Sequence, residues 1–188
     1  MVDLRFVSKS ALAPILIGLG VAVSLAIGNP LGAIFFAFGL LGVCVLQANL
    51  FTGKAGYWWK KSFALKLGAV LVINLIVGYI FGFFLSAALP NLVAAAISKV
   101  LTWNFSLSFF FQSILCGMVM YIAVELYRKD NTYGIFLGVP LFILAGFQHC
   151  IANIIVLGVA RTFSWTIILC ILGNLIGSIL VNILQGSD

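Results

Sequence analysis

Six apolar runs of membrane-crossing length fill this chain almost end to end and decide most of what it can become. They lie at about 11–28, 31–52, 65–89, 107–127, 133–159 and 163–185, against the roughly 20 residues an α-helix needs to cross the hydrocarbon core. The runs are continuous, not alternating, which selects helices over a transmembrane barrel. With 64% hydrophobic and 7% charged residues, the chain lacks the polar surface to cover a soluble globule. The reading is an all-α integral membrane protein of six transmembrane helices, one transmembrane domain over 1–188. The first run follows Arg5 and Lys9 but has no clean small-residue cleavage site, and reads as a retained helix.

Basic residues orient the bundle. With the N-terminus inside, the cytoplasmic side receives Arg5, Lys9, Lys54, Lys60, Lys61, Lys66, Arg128 and Lys129, and the outer side only Lys99 and Arg161. Both termini are therefore expected in the cytoplasm, with the chain a multi-pass protein of the cell's inner (plasma) membrane. The net charge of +6 is then mostly topology, and a nucleic-acid partner, which would want a basic face on a soluble module, is not expected. Cys44, Cys116, Cys150 and Cys170 lie inside apolar runs without Cys-x-x-Cys spacing. They read as small packing residues, and neither metal nor cofactor is expected. Trp58, Trp59, Trp103 and Trp165 fall near expected helix ends, where an amphipathic ring suits the membrane interface.

Two short polar segments interrupt the second and fifth runs: Leu46-Gln47-Ala48-Asn49-Leu50-Phe51-Thr52 and Phe147-Gln148-His149-Cys150-Ile151-Ala152-Asn153. They stand 101 residues apart, each with Gln second, an aliphatic fifth and a small polar side chain seventh. Ile73-Asn74-Leu75-Ile76-Val77-Gly78 similarly matches Gly173-Asn174-Leu175-Ile176-Gly177-Ser178 at an offset of 100. Two matches at nearly one offset indicate a repeat of three helices, about 1–90 and about 91–188. An odd number of spans per copy inverts the second, so the broken second and fifth helices are expected to meet near the bilayer centre. A break there frees backbone groups that cost several kcal/mol each if left unsatisfied in hydrocarbon. The Gln, Asn, Thr and His side chains can satisfy those groups or face a solute. Gly78-x-x-x-Gly82 and Gly173-x-x-x-Gly177 fit close helix packing, within a protomer or between protomers.

Ala48-Asn49-Leu50-Phe51-Thr52-Gly53 resembles the Leu-Phe-Thr loop of the formate/nitrite transporter family. Gly146-Phe147-Gln148-His149-Cys150-Ile151-Ala152-Asn153 resembles that family's Gly-Phe-Glu-His-Ser-Ile-Ala-Asn signature, and Gly173-Asn174-Leu175-Ile176-Gly177 its Gly-Asn-x-x-Gly. Leu115-Cys116-Gly117-Met118-Val119 stands where the family tends to have Leu-Cys-Asn-x-Leu-Val. The resemblance implies an aquaporin-like protomer with one pore, assembled as a homopentamer in the lipid bilayer, passing formate, nitrite or hydrosulfide with protons. Gln148 departs from the family's Glu, Gly117 from its Asn, and the chain is short for the family.

On this reading the pore admits a neutral acid past hydrophobic constrictions and stops the bare anion, whose desolvation costs tens of kcal/mol in the idealised limit. Leu50 and Phe51 match the family's constriction residues; Phe142, seven residues before His149, is a candidate for a second ring, and Phe36 for narrowing the first vestibule. His149 is the lone histidine. An ionisable group at mid-membrane marks a pathway by default, and its ordinary pKa near 6.5 lets it donate, accept or relay a proton. Thr52 is expected to hydrogen-bond the solute or the ring, and Lys99 is the nearest match to a family lysine whose field favours anions. Asn49, Gln148, Asn153 and Asn174 are expected as loop or solute contacts, and Glu125 as an ion-pair partner of nearby Arg128 and Lys129.

An enzyme is not expected. The acidic residues are Asp3, Glu125, Asp130 and Asp188, none at mid-membrane, which leaves no nucleophile–base pair, carboxylate pair or ligand cluster. Formate is the first choice of solute, with nitrite or hydrosulfide as alternatives, and a non-transporting structural membrane protein as the alternative of another class.

Overall fold

The computed structural model describes residues 3–58 and 61–186. Among them stand α1 (Leu4–Ile27), α2 (Pro30–Val45), a 3-10 turn (Ala55–Tyr57), α3 (Lys61–Ala88), α4 (Leu92–Leu101), α5 (Leu107–Arg128), α6 (Tyr133–Leu144), α7 (Cys150–Val159) and α8 (Thr166–Leu184). The described residues contain no strand. Helices α1, α5, α8 and the Phe63–Ala88 part of α3 are long and apolar enough to cross a membrane. The chain is an all-helical membrane protein.

Side chains set several helix starts, because the first backbone N–H groups of a helix have no partner inside it. Asp3 Oδ1 accepts from Phe6 N at 2.7 Å to open α1, and Ser106 Oγ accepts from Phe109 N at 3.2 Å to open α5. Asn29 caps α2 ahead of Pro30, whose missing N–H costs nothing at that position. Gly28, at φ +64°, ends α1 in the left-handed conformation that a residue without Cβ adopts freely.

The second and fifth apolar runs are not single helices. Helix α2 stops at Val45, and α6 and α7 are separated by residues 145–149. Both stops are Schellman turns, with the residue after the cap in the left-handed region. Gln47 (φ +51°) and Gly146 (φ +74°) hold these places. Ala48 N donates to Val43 O and Phe147 N to Phe142 O, both at 2.9 Å. Position within the turn therefore pairs Gln47 with Gly146 and Asn49 with Gln148, an offset of 99 and not the 101 read from matching glutamines. The glutamines agree in type but occupy different places in the chain path.

Other expectations are also revised. Lys99 belongs to a separate short helix, α4, in its last turn, and does not simply lead into α5. Its buried positions are Leu92 and Ala96, a spacing of four that lays one face of α4 on the bundle. Trp58 and Trp165 are exposed, as membrane-interface residues would be, but Trp103 is buried against Phe109. Trp59 lies outside the described residues. The small-residue pairs pack within the protomer: a Cβ on Gly82 would overlap the Ile155 carbonyl of α7, and one on Gly177 the Ile114 carbonyl of α5. Gly117 meets the Asn174 backbone in the same way, so this departure from the family pattern brings α5 against α8.

Candidate solute pathway

Two buried asparagines hold the interrupted segments. Asn74 Oδ1 accepts from Phe51 N at 2.9 Å, while its Nδ2 donates to Ser10 O at 2.7 Å and Asn49 O at 3.0 Å. Asn174 repeats the pattern: Oδ1 accepts from Cys150 N at 2.8 Å, and Nδ2 donates to Ser113 O and Gln148 O at 2.8 Å each. One amide supplies both a donor and an acceptor, which is what a helix break exposes on its two sides. Each clamp also reaches a neighbouring transmembrane helix, α1 in one case and α5 in the other. Both asparagines are fully buried.

His149 caps α7. Its Nδ1 lies 3.0 Å from Ala152 N, and its Nε2 lies 3.0 Å from Thr52 Oγ1 across the bundle. A backbone N–H can only donate, so Nδ1 must be the bare, accepting nitrogen. The ring proton then sits on Nε2 and points at the Thr52 oxygen, leaving that hydroxyl free to donate elsewhere. The ring stacks on Phe142 with centroids 5.6 Å apart, and Phe142 meets Phe36 edge-on at 5.8 Å. These aromatic contacts link α2, α6 and the start of α7 around one imidazole.

Two cavities belong to this region, one lined by Leu50, two residues before Thr52, and one lined by His149, Phe142 and Phe36 themselves. One, of about 350 Å³, is lined by Val43, Gln47, Leu50, Lys54, Arg128 and Asp130 among others. The second, of about 190 Å³, is lined by Phe36, Lys99, Phe142, Gln148, His149 and Asn153 among others. They share no lining residue: the buried Leu50 lines the first, and the buried Phe36, Phe142 and His149 line the second. In the first cavity Lys54 Nζ donates to Asn49 Oδ1 at 2.6 Å. Burial, then the nearby charges of Arg128 and Lys9, hold the Lys54 pKa below that of a free lysine. Arg128 pairs with Glu125 at 2.5 Å and donates to the Tyr57 hydroxyl at 2.7 Å, fixing the end of α5 to the 3-10 turn.

Solved channels share this architecture. The chain matches a pentameric formate channel with formate bound at a TM-score of 0.76 and 20% identity, covering 96% of this chain and 95% of that one. The fold is that of the formate channels. An ion channel described as of the FNT family matches at a TM-score of 0.78 and 20% identity, over 97% of this chain and 87% of that one. The likeness read from the motifs thus extends along nearly the whole backbone. In sequence, an uncharacterized transporter of Bacillus subtilis (strain 168), YrhG, is 29% identical over 188 aligned positions, spanning 86% of this chain and 69% of the relative. No family model matches the chain.

Within the formate-channel fold the residues singled out from sequence separate by position. Phe36, Lys99, Phe142, Gln148, His149 and Asn153 gather at the second cavity, and Leu50 at the first. Thr52 and Phe51 line neither cavity; Thr52 touches the site through His149, and Phe51 is held by Asn74. Asn49 and Asn174 are occupied with protein partners and act as braces. Lys54 was read only as a topological charge, yet it stands five residues after Asn49, as Asn153 does after Gln148. That spacing is the signal that could have found it. Gln112, on α5, accepts from Gln148 Nε2 at 3.2 Å and carried no motif.

Proposed function

We propose that the chain is a member of the formate/nitrite transporter family and passes small monovalent anions of weak acids, formate foremost, across the membrane with a proton. The observation that carries this reading is the His149–Thr52 pair, closed in by Phe142 and Phe36, with one cavity lined by the ring and another by Leu50. Its two clamped breaks support two inverted three-helix copies, 1–90 and 91–188, in one domain. The protomers assemble as a homopentamer in the inner (plasma) membrane. Both termini are cytoplasmic, so the Lys54 cavity faces the cytoplasm and the Lys99 cavity the outside.

Lys54 and Arg128 draw an anion into the inner cavity, where a fixed positive charge offsets part of its lost hydration. Leu50 narrows the way from there to Thr52, and Phe142 and Phe36 bar a bare anion from going on past His149, because an unpaired charge crossing an apolar constriction loses far more than it gains. An anion at the Thr52 hydroxyl stands beside the imidazole, where a proton on the ring and the charge of the solute offset one another. A proton joins Nδ1 in exchange for the Ala152 contact, and the Nε2 proton moves to the Thr52 oxygen as the hydroxyl proton passes to the solute. Loss of the Nδ1 proton and regain of one at Nε2 restore the capped ring. The neutral acid then crosses, and Lys99 favours the anion on release.

Proteoliposomes test this reading. Formate uptake is expected to rise as the medium is acidified. In competition, formate, nitrite and hydrosulfide are expected to displace one another, whereas chloride, the anion of a strong acid, does not. Chloride competing as well as formate would contradict the neutral-acid route.

A further inference from the structure

Three side-chain amides form a chain whose direction a single backbone oxygen dictates. Gln148 Nε2 donates to Gly146 O at 3.0 Å and to Gln112 Oε1 at 3.2 Å. A carbonyl oxygen only accepts, so the Gln148 amide cannot be turned around, and its Oε1 faces Asn153 Nδ2 at 2.9 Å. Cys170 reinforces the order: its thiol donates to Gln148 O at 3.2 Å, leaving the sulfur to receive the second Asn153 Nδ2 hydrogen at 3.7 Å. Both Asn153 donors are thereby committed. Its Oδ1 has no protein partner among the described residues, on a side chain 5% exposed that lines the cavity beside His149, one helical turn along α7.

The equivalent place in the first half carries the opposite chemistry. Asn49 Oδ1 receives Lys54 Nζ where Gln148 Oε1 receives Asn153 Nδ2, at the same offset of 99 for both members of the pair. The first cavity therefore offers a cationic donor, suited to an anion that can only accept. At this place the second, though Lys99 also lines it, offers an unpartnered acceptor on a buried side chain, suited to a solute that brings a proton of its own.

We propose that Asn153 is a specificity-determining residue that recognises the solute in its donor-bearing, uncharged form on the Lys99 side of His149, with Gln148 as the residue that positions it. The inference rests on the channel reading above and adds a chemical class: a small planar neutral molecule with an N–H or O–H group, of which formic acid is one. A bare anion meets the Asn153 oxygen as repulsion. The same recognition holds for an isostere that has the donor and never ionises.

Formamide is that probe. In competition assays on proteoliposomes taking up formate, formamide on the Lys99 side is expected to inhibit wild-type uptake. Asn153→Leu removes the acceptor and raises the formamide concentration for half-inhibition tenfold or more. Gln148→Met leaves residue 153 intact but frees its amide to turn, and gives a similar loss. Gln148→Glu still accepts from Asn153 Nδ2, keeps the oxygen aimed into the cavity and leaves half-inhibition within threefold of wild type. This order of the two Gln148 variants is not what general loosening of the loop would produce, and it serves even if Asn153→Leu does not assemble. Formate uptake without formamide inhibition, or equal inhibition in wild type and Gln148→Met, overturns this inference alone. Absence of wild-type formate uptake overturns the channel reading and this inference with it.

Discussion

At the scale of single residues, the site is governed by backbone groups that dictate side-chain states. Ala152 N–H fixes the tautomer of His149, and Thr52 receives the remaining ring proton. Thr52→Val keeps the volume but leaves Nε2–H without its acceptor, a loss of about 1–3 kcal/mol for a buried donor. Formate uptake at neutral pH is expected to fall at least tenfold in that variant, with assembly retained by size-exclusion chromatography. Lys54 is a second case. Because burial and its cationic neighbours lower its pKa, it loses its charge at a less alkaline pH than a free lysine. Uptake from the Lys54 side should therefore decline on raising the pH of that side, and Lys54→Met should remove the alkaline limb of the profile. An unchanged profile would show that the cavity does not use this charge. The sequence singled out His149 because a lone ionisable group inside an apolar run has few other reasons to be there. It did not show Lys54, since a lysine after a loop glycine is as well explained by membrane topology.

At the scale of elements, two asparagines make the helix breaks tolerable. Asn174→Ala strips the partner from Cys150 N and leaves Gln148 O only the weak Cys170 thiol, and Asn74→Ala strips partners from Phe51 N and Asn49 O. At about 1–3 kcal/mol for each stranded group, each variant is expected to lose roughly 2–5 kcal/mol, read as a lower midpoint of thermal unfolding in detergent. Equal stability to wild type would mean that water or a shifted backbone replaces the clamp. The long apolar runs were legible because only helices satisfy their backbone groups within a bilayer. The breaks were legible as polar interruptions, but their register was not. Matching Gln47 with Gln148 follows residue type, whereas the Schellman turns make Gln47 the counterpart of Gly146. Helix α4 escaped notice because its ten residues are about half the length of a membrane span, and a search for apolar runs of membrane-crossing length passes over it. Gly82 and Gly177 were read as packing positions, and their partners, Ile155 and Ile114, became evident only in three dimensions. Gly177→Leu should push α8 from α5 and prevent assembly.

At the scale of the molecule, an amphipathic exterior is replaced by a broad apolar one. Phe35, Phe38, Phe83, Phe84 and Leu137 are exposed on the single protomer, as expected where lipid or a neighbouring protomer is the solvent. The polar groups turn inward, into two clamped breaks and two cavities, one of them lined by His149. That inversion explains why composition alone placed the chain in a membrane and why the candidate site residues form so small a set. The measurement that tests the account most directly is formate uptake into proteoliposomes at two external pH values, comparing wild type with His149→Ala. The account predicts uptake that increases on acidification in wild type and a loss of at least tenfold in the variant, whose assembly is unchanged. Equal, equally pH-dependent uptake by the two proteins would contradict it.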